Sequence, residues 1–380
     1  MPRMKRHLPG LILLLLAAPA VPLSAATERA EREVEKTHPV DDLERVRVEQ
    51  LAGPVRVRVG SEDEIRVRAL VRAGAQDADE VERIVEKGGL ELDPEGNRLR
   101  VRPRLPLDEY STYYYEPPGR EGGGFNRNAQ FADQDVTVQS RTRWGRGIDL
   151  HHEIELIIPP GMGVDIQQQV GRVDVEGVSG PLRLRMRGEQ AELRDLRGPL
   201  DIETGGGRLR LAGHEGEGRI RSGSGEMHLS NLRGGPWDLE SGSGPIRVDS
   251  GAGEFRVKTG SGGFQATEFV AAEKLDIISG SGRVMLEGDL SALRDARIET
   301  SSADIFLQTV RVPSAELRIN HVRGGITVDL PEVEETRRQR NRFEGILGEG
   351  AGRIELESRL GEIRFTSSPA GAVEGGLFQD

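Results

Sequence analysis

Apolar and polar positions alternate with a period of two along most of this chain, and the alternation itself recurs at a longer period. Nine apolar centres, Ile166, Leu184, Ile202, Ile220, Leu239, Val257, Ile277, Ile298 and Ile319, are spaced 18, 18, 18, 19, 18, 20, 21 and 21 residues apart. The residue before each centre runs Asp165, Arg183, Asp201, Arg219, Asp238, Arg256, Asp276, Arg297 and then Arg318. Acid and base alternate over the first eight. That order suits parallel strands stacked roughly 4.8 Å apart, because opposite charges on neighbouring strands attract. The alternation fails only at Arg297 and Arg318. With Lys274 and Arg311 nearby, that basic step reads either as an anion-binding patch or as tolerated repulsion near the end of a rod.

A second strand follows each first one, with inward pairs such as Leu209/Leu211, Met227/Leu229, Ile246/Val248, Val284/Leu286, Ile305/Leu307 and Ile326/Val328. Between the two strands lie turns such as Ser222-Gly223-Ser224-Gly225 and Ser241-Gly242-Ser243-Gly244. Glycine is expected there for the positive φ of a tight corner. One turn of this length cannot enclose a core; stacked turns bury a shared one. The inner column Leu200, Gly218, Trp237, Phe255 sets Gly218 beside Trp237, so a missing side chain makes room for the largest one.

The fold class that follows is all-β, a β-solenoid with about 18–21 residues per turn. A strand-rich N-terminal cap carries one short helix, Asp77 to Lys87, in which Val81, Ile84 and Val85 recur at helical spacing. The expected divisions are a signal peptide 1–26, a linker 27–42, the cap 43–158 with an insertion 107–147, and regular repeats 159–330. A charged excursion 331–352, closing strands 353–367 and a tail 368–380 complete them. The signal reading rests on Arg3, Lys5 and Arg6, the apolar Leu11 to Ala18, and Ser24-Ala25-Ala26. It predicts an exported protein, periplasmic or at the cell surface, with no transmembrane anchor after cleavage.

Composition narrows the chemistry. The chain lacks cysteine, which removes disulfides, thiol catalysis and cysteine-held metals. Its formal charge is −11, and loss of the three basic leader residues makes it −14, so nucleic acid is an unfavoured partner. Aromatic residues are only 4% of the chain. Yet all four tyrosines, Tyr110, Tyr113, Tyr114 and Tyr115, fall in the insertion with Phe125, Phe131 and Trp144. Tyr110, Tyr113, Tyr114, Tyr115, Phe125 and Trp144 form a candidate ligand-binding loop for a glycan or an envelope protein. The competing reading has these aromatics folding back over the side of the rod.

The alternating N-terminal strands, the short helix, Ile157-Ile158-Pro159-Pro160-Gly161, the repeated Ser/Thr-Gly-Ser-Gly turns and Gly361-Glu362-Ile363-Arg364-Phe365 resemble the bacterial putative-adhesin family of β-strand-repeat proteins. The resemblance spans Leu43 to Ser367 and departs from the family pattern at the insertion. It implies an exported or membrane-tethered protein, and its motifs are structural turns rather than catalytic residues.

No catalytic, cofactor or metal constellation emerges. Asp201, Asp238 and Asp276 each sit between two arginines in the ladder, and flanking positive charge opposes the raised pKa a general acid needs. Calcium-binding glycine-rich solenoids place aspartate after the turn glycines. The matching positions here are Arg208, Glu226, Pro245, Gly263 and Arg283. His151 and His152 are adjacent on a strand and therefore point to opposite faces. The function expected is a non-catalytic envelope binding or structural protein. The alternatives are a carbohydrate-active β-helix enzyme and an envelope-stress module acting through a protein partner.

Overall fold

A computed structural model describes residues 28–61, 63–116, 125–141 and 147–368; the signal segment and Trp144 lie outside them. Two walls of parallel strands face each other across one core. In the first wall the inward column runs Val48, Ile166, Leu184, Ile202, Ile220, Leu239, Val257, Ile277 and Ile298, in unbroken register. In the second wall the facing column runs Val57, Val175, Leu193, Leu211, Leu229, Val248, Ala266, Leu286 and Leu307. All of these are buried. Alternation puts the neighbours of each column outside, so the predicted acid–base ladder forms on the surface. Asp201 lies 3.1 Å from Arg183, Asp238 3.4 Å from Arg219 and Asp276 3.6 Å from Arg256.

The turn glycines serve a different purpose from the one expected. Gly223, Gly242, Gly260 and Gly280 do not adopt the left-handed conformation. A Cβ on any of them would instead meet the carbonyl oxygen of the turn below at 2.4, 2.3, 2.3 and 2.3 Å. Stacking distance excludes a side chain there. The hydroxyls of the same turns point inward: Ser241 and Ser279 donate to the carbonyls of Gly244 and Gly282, each at 2.6 Å. Buried turn carbonyls are thereby satisfied.

Ten strands precede the regular stack and two more open it. The first ten are β1 (Glu28–Pro39), β2 (Arg45–Ala52), β3 (Val55–Val59), β4 (Glu64–Ala75), β5 (Gly89–Glu95), β6 (Arg98–Arg104), β7 (Thr112–Tyr114), β8 (Asn126–Phe131), β9 (Gln134–Gln139) and β10 (Ile148–Ile158). β11 (Gly163–Val170) and β12 (Val173–Glu176) then begin the repeats. β2 and β3 are themselves a coil, paired with β11 and β12. Parallel strands cover its exposed edges, and antiparallel strands follow outside them. β6 lies on β2 and β5 on β6; β10 lies on β3, β4 on β10, and β1 on β4. This covering blunts an edge open to pairing. Residues 28–39 were expected to be linker. They form β1, which pairs antiparallel with β4 along its whole length, and Glu31 and Glu35 meet Arg72 and Arg68 of β4, each at 3.0 Å.

Helix α1 (Ala78–Lys87) starts where Asp77 accepts a hydrogen bond from the Glu80 N–H at 3.1 Å. Val81, Ile84 and Val85 face inward. With Leu51, Leu150 and the apolar faces of β8 and β9 they make a second, smaller core.

The largest departure from expectation lies at the C-terminal end. The strands Gly352–Ser358 and Ile363–Ser367 do not close the rod. They slot between its last two coils: Leu356 pairs with Ile298 on one side and Ile319 on the other. Ile363 likewise lies between Ile305 and Ile326. Glu355 therefore stands between Arg297 and Arg318, and the charge alternation continues without a break. The charged excursion becomes a hairpin, Val333–Gln339 with Arg342–Leu347, whose second strand pairs antiparallel with Ala315–His321 and covers that wall's end.

Glu355→Arg is accordingly expected to destabilise by about 1–2 kcal/mol, two unfavourable cross-strand pairs. Glu355→Gln, which removes the attraction without adding repulsion, should cost less than Glu355→Arg in urea unfolding. A Glu355→Arg variant as stable as the wild type would refute the intercalated order.

Candidate arginine-lined cleft

Where the cap meets the first coils, the outward positions of several strands converge on an open cleft of about 1050 Å³. Its floor is β3, β4, β10 and β12; its far wall is the turns at Arg187 to Gln190 and Gly206 to Arg208; its near rim carries Tyr115, Glu116 and Arg127. Eight arginines and four carboxylates line it. On a chain whose formal charge is −11, arginines outnumber carboxylates in this lining.

Most of these arginines have acidic neighbours. Arg72 bridges Glu31 at 3.0 Å and Glu153 at 2.5 Å. Arg172 holds Asp174 at 3.0 Å and Glu192 at 2.7 Å. Arg208 reaches Glu226 at 3.3 Å, and Arg58 pairs with Glu176. Two do not fit this scheme. Arg56 lies in register between Glu155 and Asp174, but these carboxylates are engaged by Arg68 and Arg172. Arg187 donates to the Asn128 carbonyl at 3.1 Å. Among the described residues neither Arg56 nor Arg187 has a carboxylate within 4.0 Å, and both side chains are exposed.

The aromatic residues singled out by sequence take other positions. Tyr113 is fully buried in the second core. Tyr114 is buried, and its hydroxyl accepts from the Gly147 N–H at 3.0 Å. Tyr115 is buried edge-on against His151, ring centroids 5.1 Å apart, at the rim of the cleft. Burial pushes its hydroxyl up to about 12, with Glu189 and Glu153 adding to the shift. Burial likewise raises the Tyr113 hydroxyl. Tyr110 and Phe125 are half-buried against the same core. Tyr113, Tyr115, Tyr110 and Phe125 thus belong to the same core as helix α1 and the inner faces of β8 and β9. The cleft arginines escaped notice in the sequence because each belongs to an ordinary alternating strand or to the turn beside one. The signal lies in which strands adjoin, which no single strand carries.

β10 separates its two histidines as expected. His151 faces the cleft and His152 is buried beneath it. The Gly89 N–H donates to His152 Nε2 at 3.2 Å, and Gln50 donates to its backbone carbonyl at 2.6 Å. Burial, with His151 and Arg32 adding to it, lowers the His152 pKa to about 3. Burial also lowers that of His214, packed against Trp237. The neutral forms are the folded ones. The contribution of His152 is complete above pH ~6.5 and is lost as pH falls toward 3, and that of His214 is lost in the same direction. Wild-type stability should drop by about 2 kcal/mol between pH 6.5 and 5 through His152 alone, at about 1.4 kcal/mol per unit. His152→Gln, which keeps an acceptor for Gly89, should flatten that slope in urea titrations; an unchanged slope would refute it.

The basic step suspected near the end of the rod does not form. Glu355 separates Arg297 from Arg318, Arg311 pairs with Asp289, and Lys274 stands in register with Asp295. Burial alone would raise the Asp289 carboxyl, but hydrogen bonds from Ser291 and the Arg311 charge outweigh it and hold it low.

No helix among the described residues is long and apolar enough to cross a membrane. No curated protein matches the chain. Among solved structures it is similar to a putative cell adhesion protein from Clostridium sporogenes, at 10% identity and TM-score 0.22, over 89% of this chain and 100% of that one. The Toastrack DUF4097 family signature matches residues 133–366, from the β8–β9 turn through the intercalated C-terminal strands. That match covers more than half of the chain's 380 residues: the protein belongs to the Toastrack DUF4097 family.

Proposed function

We propose that the protein is a non-catalytic binding module of the cell envelope, exported by its N-terminal signal, with the solenoid as a rigid scaffold and the cleft as its contact site. The observation that carries this reading is the cleft itself: eight arginines gathered at one place on an acidic chain. Most of them are held by carboxylates, but Arg56 and Arg187 have none within 4.0 Å among the described residues, which leaves guanidinium donors for an anion from outside. An enzyme of the glycan-cleaving kind would need a carboxyl group free of positive neighbours to donate a proton. The cleft carboxylates Glu153 and Asp174 instead face Arg72 and Arg172.

The test is binding of residues 27–380 to a panel of envelope glycans and envelope proteins, with product analysis of every ligand that binds. Retention of a ligand without turnover is expected. Turnover, or no binding anywhere on the panel, would overturn the reading. Replacing 107–147 by a linker is a poor control, because Tyr113, Phe131 and Val138 would leave the second core.

A further inference from the structure

We infer that the ligand of this cleft is a glycan chain carrying anionic groups on non-adjacent sugars, held by the guanidinium groups of Arg56 and Arg187. This rests on the binding reading above and adds the ligand class. A guanidinium presents a planar fork of donors that matches carboxylate or phosphate oxygens two at a time. Neither Arg56 nor Arg187 has a carboxylate within 4.0 Å among the described residues, so an anion taken up there breaks no ion pair, and Arg187 keeps donors beyond the one given to the Asn128 carbonyl.

Their separation sets the size of the ligand. Arg56 is on β3, which pairs with β12, which pairs in turn with the strand Ala191–Arg197. Arg187 lies in the turn leading into that strand. Two strand steps put the pair roughly 10 Å apart along the stack. A chain with charges on separate residues matches that spacing of the two backbones. Beside and beyond Arg187 in the stack the cleft offers Gln190, the backbone of Gly206 and Gly207, and Ser224, donors and acceptors suited to sugar hydroxyls.

The same lining disfavours other polyanions and peptides. Single-stranded nucleic acid is held by bases stacking on aromatic faces, and the one tyrosine at this rim is buried edge-on against His151. A peptide would need an apolar anchor pocket, and the lining is almost wholly charged or polar.

The test uses the mature chain and calorimetry with polygalacturonate oligomers, a phosphate-bearing glycan polymer, neutral dextran and single-stranded DNA. Saturable binding of at least one anionic glycan is expected, weakening as salt rises from about 0.02 to about 0.3 M. Which polymer binds tells carboxylate from phosphate as the charge recognised. Arg56→Ala with Arg187→Ala should weaken it about tenfold or more. Arg283→Ala, where the guanidinium stacks on Phe306 well away from the cleft, should leave it unchanged. Because Arg56 and Arg187 are exposed, the double variant should keep the wild-type melting curve. If it does not, Arg56→Lys with Arg187→Lys supplies the same comparison with charge retained and the fork lost. Equal binding of dextran or DNA, or undiminished binding by the double variant, would overturn the inference. If a neutral glycan or a protein on the envelope panel binds while the anionic polymers do not, this inference falls and the binding reading stands. If nothing on either panel binds, both fall.

Discussion

Leu239→Asp should collapse the middle of the solenoid. Leu239 is fully buried, stacked between Ile220 below and Val257 above. Removing the side chain alone costs about 2–5 kcal/mol. Placing a carboxylate in the same column adds several kcal/mol, because no cation reaches that interior. The sum rivals the whole stability of an ordinary domain, about 5–15 kcal/mol. In a repeat protein each coil leans on its neighbours, so the damage spreads along the stack. The expected result is loss of strand circular dichroism and of a cooperative melt. Asp238→Leu, one residue away but outside, should change stability by about 1 kcal/mol or less, the scale of its exposed pair with Arg219. If Leu239→Asp melts like the wild type, the assignment of inner and outer faces is wrong.

The same two faces explain what the sequence disclosed. Period two sorted inside from outside, and the near-constant spacing sorted neighbour from neighbour, so the columns from Ile166 to Ile298 could be read directly. The failure at Arg297 and Arg318 was legible too, as a conflict. Two arginines should not be adjacent in a ladder that otherwise alternates. Arg353-Ile354-Glu355-Leu356-Glu357-Ser358 has the first-strand pattern, with an acid where the ladder wants one and a serine where the turn hydroxyl belongs. What hides the solution is chain order. A strand that intercalates out of sequence leaves no periodic trace, because its register is set by pairing at long range.

β1 was missed for a related reason. As an edge strand it carries charges on both faces, and only Val34 and Ala30 pack against the cores. Alternation weakens where one side of a strand has nothing to bury against. The tyrosines show the converse. Scarcity made them conspicuous, but a residue type that is rare on a chain marks a site only if its surface stays free. Tyr113 and Tyr115 belong to the same core as α1, β8 and β9. The cleft arginines lie at the other extreme. Arginine is ordinary on this chain, and Arg56 becomes informative only once Glu155 and Asp174 are seen to be engaged by other arginines.

Trp237→Ala should cost about 3–5 kcal/mol, the usual range for removing a large buried aromatic. Trp237 is 1% exposed, stacked on Phe255 with centroids 6.2 Å apart and met edge-on by His214 at 5.2 Å. Its six-membered ring occupies the space above Gly218, where a Cβ would lie 2.2 Å from the indole carbon Cζ3. Gly218→Leu alone is therefore expected to destabilise by about 1–3 kcal/mol through overpacking. The two changes together should cost less than their sum, because the leucine fills part of the cavity that the lost indole leaves. A coupling of about 1–3 kcal/mol in a double-mutant cycle from urea unfolding would establish that the two positions share one volume. Additivity within about 0.5 kcal/mol would mean they do not touch. The pairing of the smallest with the largest residue in adjacent coils would then need another cause. Coupling would show that an irregular member of the repeat is accommodated by its immediate neighbour, which lets a stack of near-identical strands carry a tryptophan without losing its register.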